Sequence, residues 1–471
     1  MSDPVFQRVD MAQNRIRALP LMAFATAGFL SALVHSPAAS IVPTLYSTDF
    51  GLSLTLIGTA LLISRSADVV IDPLIGFLSD RTGGRLGARK PWVIAGILLT
   101  MVSAWFLFNP PPHPNFNYFL VWYTAIYLAW SLIEIPHAAW GFELTRDYEE
   151  RSRVLTYRGF AAGLAQLAFL TFPLLPIFAT TAVTPQTLHF TSWIVFGVGA
   201  LSLVATLFWA PDGIPVERSS HYKVRDLLSV LTGNRPLWVF MGGFFLNGFA
   251  TGMFGILTFL YFANYLGLGK QFIFLQGGVA VAALASLPLA PWVIARLGKR
   301  QTWAGAMALG MVVFPMILLV PRGETSFVPL LALCIPIGFV NAMVAIASTS
   351  LMGDVIDYDT WRSGKKRTAI YSGLMSFVVK LNAIPGGAVA LLIVGLAGYN
   401  PKLAGANSPH AVLGLKIAYV IAPTILYGLS ILFAWFFPID RRRQGIVSRR
   451  LEAREAREAR DALPGGVAPI A

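Results

Sequence analysis

Apolar stretches of bilayer-spanning length recur along almost the whole chain, separated by polar connections. A lipid interior holds no water to satisfy backbone N–H and C=O groups, so a chain written this way is restricted to helices or a closed barrel. Runs of about 20 apolar residues are helix length, roughly twice what a tilted strand needs. We read spans at 18–45, 53–79, 91–109, 116–142, 154–179, 188–210, 236–263, 272–295, 302–320, 326–350, 368–398 and 411–438. Composition excludes a soluble domain: 56% of the 471 residues are hydrophobic and 13% are charged, against roughly 45–50% and about 25% in soluble proteins. The expected fold class is an all-α membrane protein with twelve transmembrane helices in two six-helix bundles. No cleavable signal peptide is expected, because the first apolar run is too long for an h-region and lacks a small-residue cleavage site.

A net charge of +13 would point to nucleic acid in a soluble chain, but here the basic residues are sorted by side. Arg8, Arg15 and Arg17 precede the first span, and Arg81, Arg85, Arg89 and Lys90 follow the second. Alternate loops on that same side hold Arg151 and Arg153, Arg218 to Arg235, Arg296 to Arg300, Arg362 to Arg367, and the tail from Arg441. The opposite loops carry little beyond Lys270, Arg322 and Lys402. By the positive-inside rule both termini are cytoplasmic, in a multi-pass protein of a bacterial-type inner membrane. With no aromatic-interleaved basic module and no phosphate loop, nucleic acid is not an expected partner. Cys334 is the one cysteine; it can form no intramolecular disulfide and reads as a small packing residue.

The chain divides into two halves and a linker. The expected organisation is an N-terminal bundle at 1–211, a cytoplasmic linker at 212–235, a C-terminal bundle at 236–439 and a basic cytoplasmic tail at 440–471. Weak internal similarity supports a repeat. The segment Gly76 to Lys90 after the second span has a shortened echo in Ala295 to Arg300 after the eighth, and Glu150-Arg-Ser-Arg153 resembles Lys366-Arg-Thr368. Inverted or parallel repeats of this kind are how secondary transporters build a central site that opens to each side in turn. The segment 451–460 is a charged helix candidate, read as a solvated end in preference to a partner-binding site.

Ionisable side chains inside the spans are the functional candidates. Arg65, Asp68 and Asp72 recur at helical spacing along one face of the second span. Such groups are tolerated where they face a bundle interior or a water-filled path, so the trio reads either as an ion pathway or as a neutralised cluster in a packed bundle. Two acids against one arginine leave surplus negative charge, which favours the pathway. Lys380 lies deep in the eleventh span and needs a carboxylate or a wet route. His35 and His137 read as packing or hydrogen-bonding residues. No set of nucleophile, base and orienter, no zinc ligand spacing and no nucleotide loop is present, so the chain is not expected to be an enzyme or to carry a cofactor.

The Gly76 to Lys90 loop resembles the signature of the major facilitator superfamily. More narrowly, 67–82 through 89–92, Glu134-Ile-Pro-His137, 143–151, Tyr157-Arg158, 353–358 and 378–380 resemble the glycoside-pentoside-hexuronide:cation symporters, the group containing the melibiose permease. The resemblance implies a twelve-helix facilitator fold and symport of a glycoside-like or other small organic solute with Na⁺ or H⁺. It assigns the coupling cation to Asp68, Asp72 and Glu134, with glutamate where the family has aspartate. It assigns substrate or coupling roles to Arg158, Ser376 and Lys380, with Arg158 alternatively snorkelling to the membrane face and Ser376 alternatively bonded to its own helix; Arg65 joins them by its spacing from Asp68 and Asp72. Gating falls to Gly76, Asp80, Arg81, Arg89, Asp147, Arg151, Asp354 and Asp357, with Gly76 allowing close helix packing. Family sugar-site positions fall on Ala32, Ala39 and Ala345, which implies a wider, more apolar site and leaves stacking to Trp140. Transport of an amphipathic lipid such as a lysophospholipid is the second reading, and a non-transporting sensor the third. Partners are then a small-molecule substrate and membrane lipid, with the monomer as functional unit.

Overall fold

The computed structural model describes residues 16–83, 86–145, 147–213, 224–365 and 367–461. They form two compact units, 1–219 and 220–471, and hold no strand among the described residues. The first unit contains α1 (Ala18–Ser40), α2 (Val42–Thr48), α3 (Leu54–Arg81), α4 (Lys90–Phe108), α5 (Phe116–Glu143), α6 (Tyr148–Thr171) and α7 (Pro185–Phe208). The second contains α8 (Val224–Gly233), α9 (Arg235–Phe259), α10 (Phe272–Ser286), α11 (Ala290–Leu297), α12 (Lys299–Met316), α13 (Phe327–Ser363), α14 (Thr368–Leu396), α15 (Pro409–Lys416), α16 (Ala422–Trp435) and α17 (Arg441–Asp461).

Local chemistry sets several of these ends. Ser53, Asn115 and Asp147 each accept a hydrogen bond from a backbone N–H three residues on, closing the starts of α3, α5 and α6. The first expected span, 18–45, is instead two helices, because Pro37 and Pro43 withdraw N–H donors on either side of Ile41. The tenth is longer than expected: α13 runs to Ser363 and ends at Gly364, whose φ of 72° suits glycine. Among the described residues, eleven helices are long and apolar enough to cross a membrane. The expected fifth span is not one of them. It corresponds to α6, whose length is ample at 24 residues but whose apolar face is interrupted by Arg158 and Gln166.

The repeat suggested by the sequence is built into the packing. In the first unit α5 packs on α3 and α4, α1 on α6 and α7, and α4 on α7. In the second, α13 packs on α10 and α12, α9 on α14 and α16, and α12 on α16. The same five pairings thus recur when α1, α3, α4, α5, α6 and α7 are matched with α9, α10, α12, α13, α14 and α16. Close approach depends on specific glycines: a Cβ on Gly96 would lie 2.6 Å from Ile133 Cγ1. Gly76 does not play this part. A Cβ there would meet Ile135 at 3.9 Å, ordinary contact, so the expected close packing at Gly76 is corrected.

Candidate functional site

Buried charge in the first unit is concentrated on the helices the sequence singled out. Arg65 and Asp68 are both buried, and the Arg65 guanidinium donates to Asp68 Oδ2 at 2.8 Å while resting on the Tyr127 ring. Their spacing of three residues on α3 places them one above the other. Asp72, one turn further, is half-buried. Glu134 on α5 is paired with Arg158 on α6. Among the described residues no group of three or more His, Cys, Asp or Glu could hold a metal ion. Asp68 and Glu134 are each engaged by an arginine in this arrangement, and the three acids do not form one cage. His137 is stacked on Phe24 and its Nε2 is 2.9 Å from the Phe24 carbonyl; His35 is stacked on Trp130.

A second set of charges closes the ends of the helices. Arg89, at the start of α4, donates to Glu143 at the end of α5 at 2.6 Å and to Ser79 Oγ at 2.9 Å, and pairs with Asp80 at 2.6 Å. Burial works against its charge, but the Glu143 and Asp80 carboxylates hold the guanidinium above its ordinary pKa. Lys90 reaches Asp212 at 2.6 Å. In the second unit Lys299, first residue of α12, pairs with buried Asp354 on α13. The basic residue at the start of α4 or α12 thus grips the acid near the end of α5 or α13, at matched places in the repeat. Asp357 accepts from Gln444 of α17 at 3.0 Å, and Arg367 is held by Asp359 at 2.9 Å and Ser229 at 2.5 Å.

Several expected roles change. Trp140 is 1% exposed, lies edge-on to Phe24 and donates its Nε1 to the Pro211 carbonyl at 3.0 Å, so it offers no free face for stacking on a solute. Arg81 stacks on Phe77 of its own helix, and Asp147 caps α6. Ser376 and Lys380 lie one turn apart on α14. The side chains of Ser376 and Arg151 are outside the described residues. The charged segment 451–460, expected to be solvated, is mostly exposed where it is described, whereas the preceding part of α17 packs on α13 with Val447 buried. Sequence reading missed Asp359, Gln444, Tyr127 and the Lys90–Asp212 pair. The available signal was an acid in the last turns of α13 followed across Gly364 by Arg367.

The Glu134–Arg158 pair yields a discriminating test. Arg158→Ala is expected to lower initial uptake roughly tenfold, the loss of one charge-assisted bond, with Arg158→Lys recovering part of it. Near-normal uptake by both variants would show that Arg158 only snorkels.

Comparison with known proteins bears on the whole chain. A family model described as MFS/sugar transport protein matches residues 19–441. The uncharacterized symporter YnaJ of Bacillus subtilis is 25% identical over 94% of this chain and 96% of its own length. The glucuronide carrier protein homolog of Escherichia coli is 26% identical over 85% and 89%, and the isoprimeverose transporter of Lactiplantibacillus pentosus 25% over 84% and 83%. Among solved structures, the nucleoside transporter NupG aligns over 89% of this chain and 98% of its own, with a TM-score of 0.64 at 12% identity, which supports the fold alone. These relatives are named for sugars and symport, and the lysophospholipid reading is not favoured.

Proposed function

The chain belongs to the MFS/sugar transport protein family, a family of transporters and not of enzymes, and from that premise we propose that it is a cation-coupled symporter of a glycoside. The observation carrying this reading is the engagement of Asp68 by Arg65 on α3 and of Glu134 on α5 by Arg158 on α6. Ionisable groups within spanning helices are costly and mark substrate or ion pathways. In this reading Arg65 and Arg158 act as internal counter-cations when no coupling cation is bound. Na⁺ or H⁺ then competes for the carboxylate oxygens, and its entry frees an arginine to meet the solute. Hard cations prefer oxygen ligands, which Asp68, Asp72 and Glu134 supply; a proton needs only one of them. Lys380 keeps the substrate or coupling role that the resemblance implies, and the end-of-helix pairs of Arg89 and Lys299 open and close in the transport cycle. The sorting of basic loops supports cytoplasmic termini in an inner membrane, with the monomer as working unit and no nucleic-acid partner.

The solute class is tested by uptake of a glycoside panel that includes a glucuronide, isoprimeverose and a galactoside. Saturable uptake of at least one glycoside is expected, with galactosides poor because Ala32 lacks a polar fork. Ala32→Asp should reduce uptake of the preferred solute without creating galactoside transport, since a lone acid in apolar surroundings tends to be protonated. Robust galactoside uptake by the wild type would overturn the reading of Ala32, and no glycoside uptake at all would overturn the substrate class.

A further inference from the structure

In the first unit α6 and α7 both pack on α1, and a groove of about 690 Å³ lies over α1 between them. This is within the range of roughly 300–1,000 Å³ typical of small-molecule sites. None of its lining residues belongs to the ion pairs above. Its walls are largely apolar and exposed: Phe160 is 72% exposed and Leu201 57%. Thr26, at its floor, has already turned its hydroxyl to the Ala23 carbonyl at 2.7 Å. Thr156 and Tyr157 add two further hydroxyls to an otherwise apolar lining. They are too few for the several hydroxyls of a glycoside, which would be left without partners, so the groove is unsuited to the transported solute. An apolar chain would fill it without that cost, and in a bilayer acyl chains are the surrounding solvent.

One end of the groove is charged. Arg17 is exposed at the start of α1. Arg153 donates to the adjoining Ile16 carbonyl at 3.0 Å, and its guanidinium lies 5.6 Å over the ring of Tyr157, itself a lining residue. Glu150, at 3.0 Å from Arg153, offsets one of these two charges, and a positive charge remains at the mouth. Basic groups at a membrane surface attract anionic headgroups. We propose that this groove is a binding site for an anionic phospholipid, its acyl chain lying along α1 and its headgroup at Arg17 and Arg153.

The test is native mass spectrometry of the full chain, delipidated in detergent and supplied with phosphatidylglycerol or phosphatidylcholine. The wild type should retain one phosphatidylglycerol and prefer it to phosphatidylcholine by about fivefold. Ala161→Trp on α6 and Leu201→Trp on α7 each fill the groove and should abolish retention; should one fail to fold, the other decides. Arg17→Gln should keep the lipid and lose most of the headgroup preference. Undiminished retention in a folded tryptophan variant, or equal affinity of the wild type for both lipids, would overturn the assignment. So would a lipid-free wild-type dimer that Ala161→Trp dissociates, since the groove would then be an interface between copies.

Discussion

Asp72→Asn should reduce concentrative uptake to the background of empty liposomes while leaving the protein folded. The substitution conserves volume and removes only the charge. Asp72 stands one turn beyond Asp68, half-buried on α3, and Asp68 is already engaged by Arg65. The family resemblance assigns Asp72, with Asp68, to the coupling cation. An amide there still accepts a hydrogen bond but can neither take up a proton nor offset a Na⁺. Downhill exchange of solute is expected to survive, because the gates are untouched. Accumulation at the wild-type level would remove Asp72 from the coupling machinery, and loss of the folded protein would assign it a structural role.

Asp359→Ala is expected to destabilise the protein by about 3–5 kcal/mol, the usual consequence of leaving one partner of a buried ion pair uncompensated. Asp359 and Arg367 are 5% exposed each and are joined by hydrogen bonds of 2.9 and 3.1 Å. Their pairing ties the end of α13 to the start of α14 across Gly364. Replacing both residues by alanine should recover most of the loss, because the stranded charge disappears with its partner. Thermal unfolding of the two variants in one detergent checks this. Equal destabilisation by the single and double variants would show that packing, not charge, governs the site.

The spans were legible because a bilayer permits so few solutions: length, apolar content and basic loops together fixed eleven of the helices to within a turn or so at most ends. The break at Ile41 was signalled by Pro37 and Pro43 but hidden by an unbroken hydropathy run. The acids Asp68, Asp72 and Glu134 stood out because charge in an apolar helix needs a reason. Their partners were less visible. Asp68 finds Arg65 within its own turn, whereas Glu134 finds Arg158 on another helix 24 positions away. Trp140 was misjudged for the same reason, since the carbonyl that engages it belongs to Pro211, 71 positions later. Gly76 was credited with close packing that belongs to Gly96, and no local pattern distinguishes a glycine pressed against a neighbour from one merely near it. Asp359 and Gln444 were overlooked because each lies among charged residues that look solvated until α13, α14 and α17 are assembled.

Coupling is the central claim, and it is tested most directly by uptake of a labelled glycoside into proteoliposomes containing this chain alone, with an inward Na⁺ or H⁺ gradient imposed. Internal solute is expected to rise above the external concentration under one of the two gradients and to fall back to equality when an ionophore collapses it. Uptake that stops at equal concentrations under either gradient would identify a uniporter and contradict cation-coupled symport.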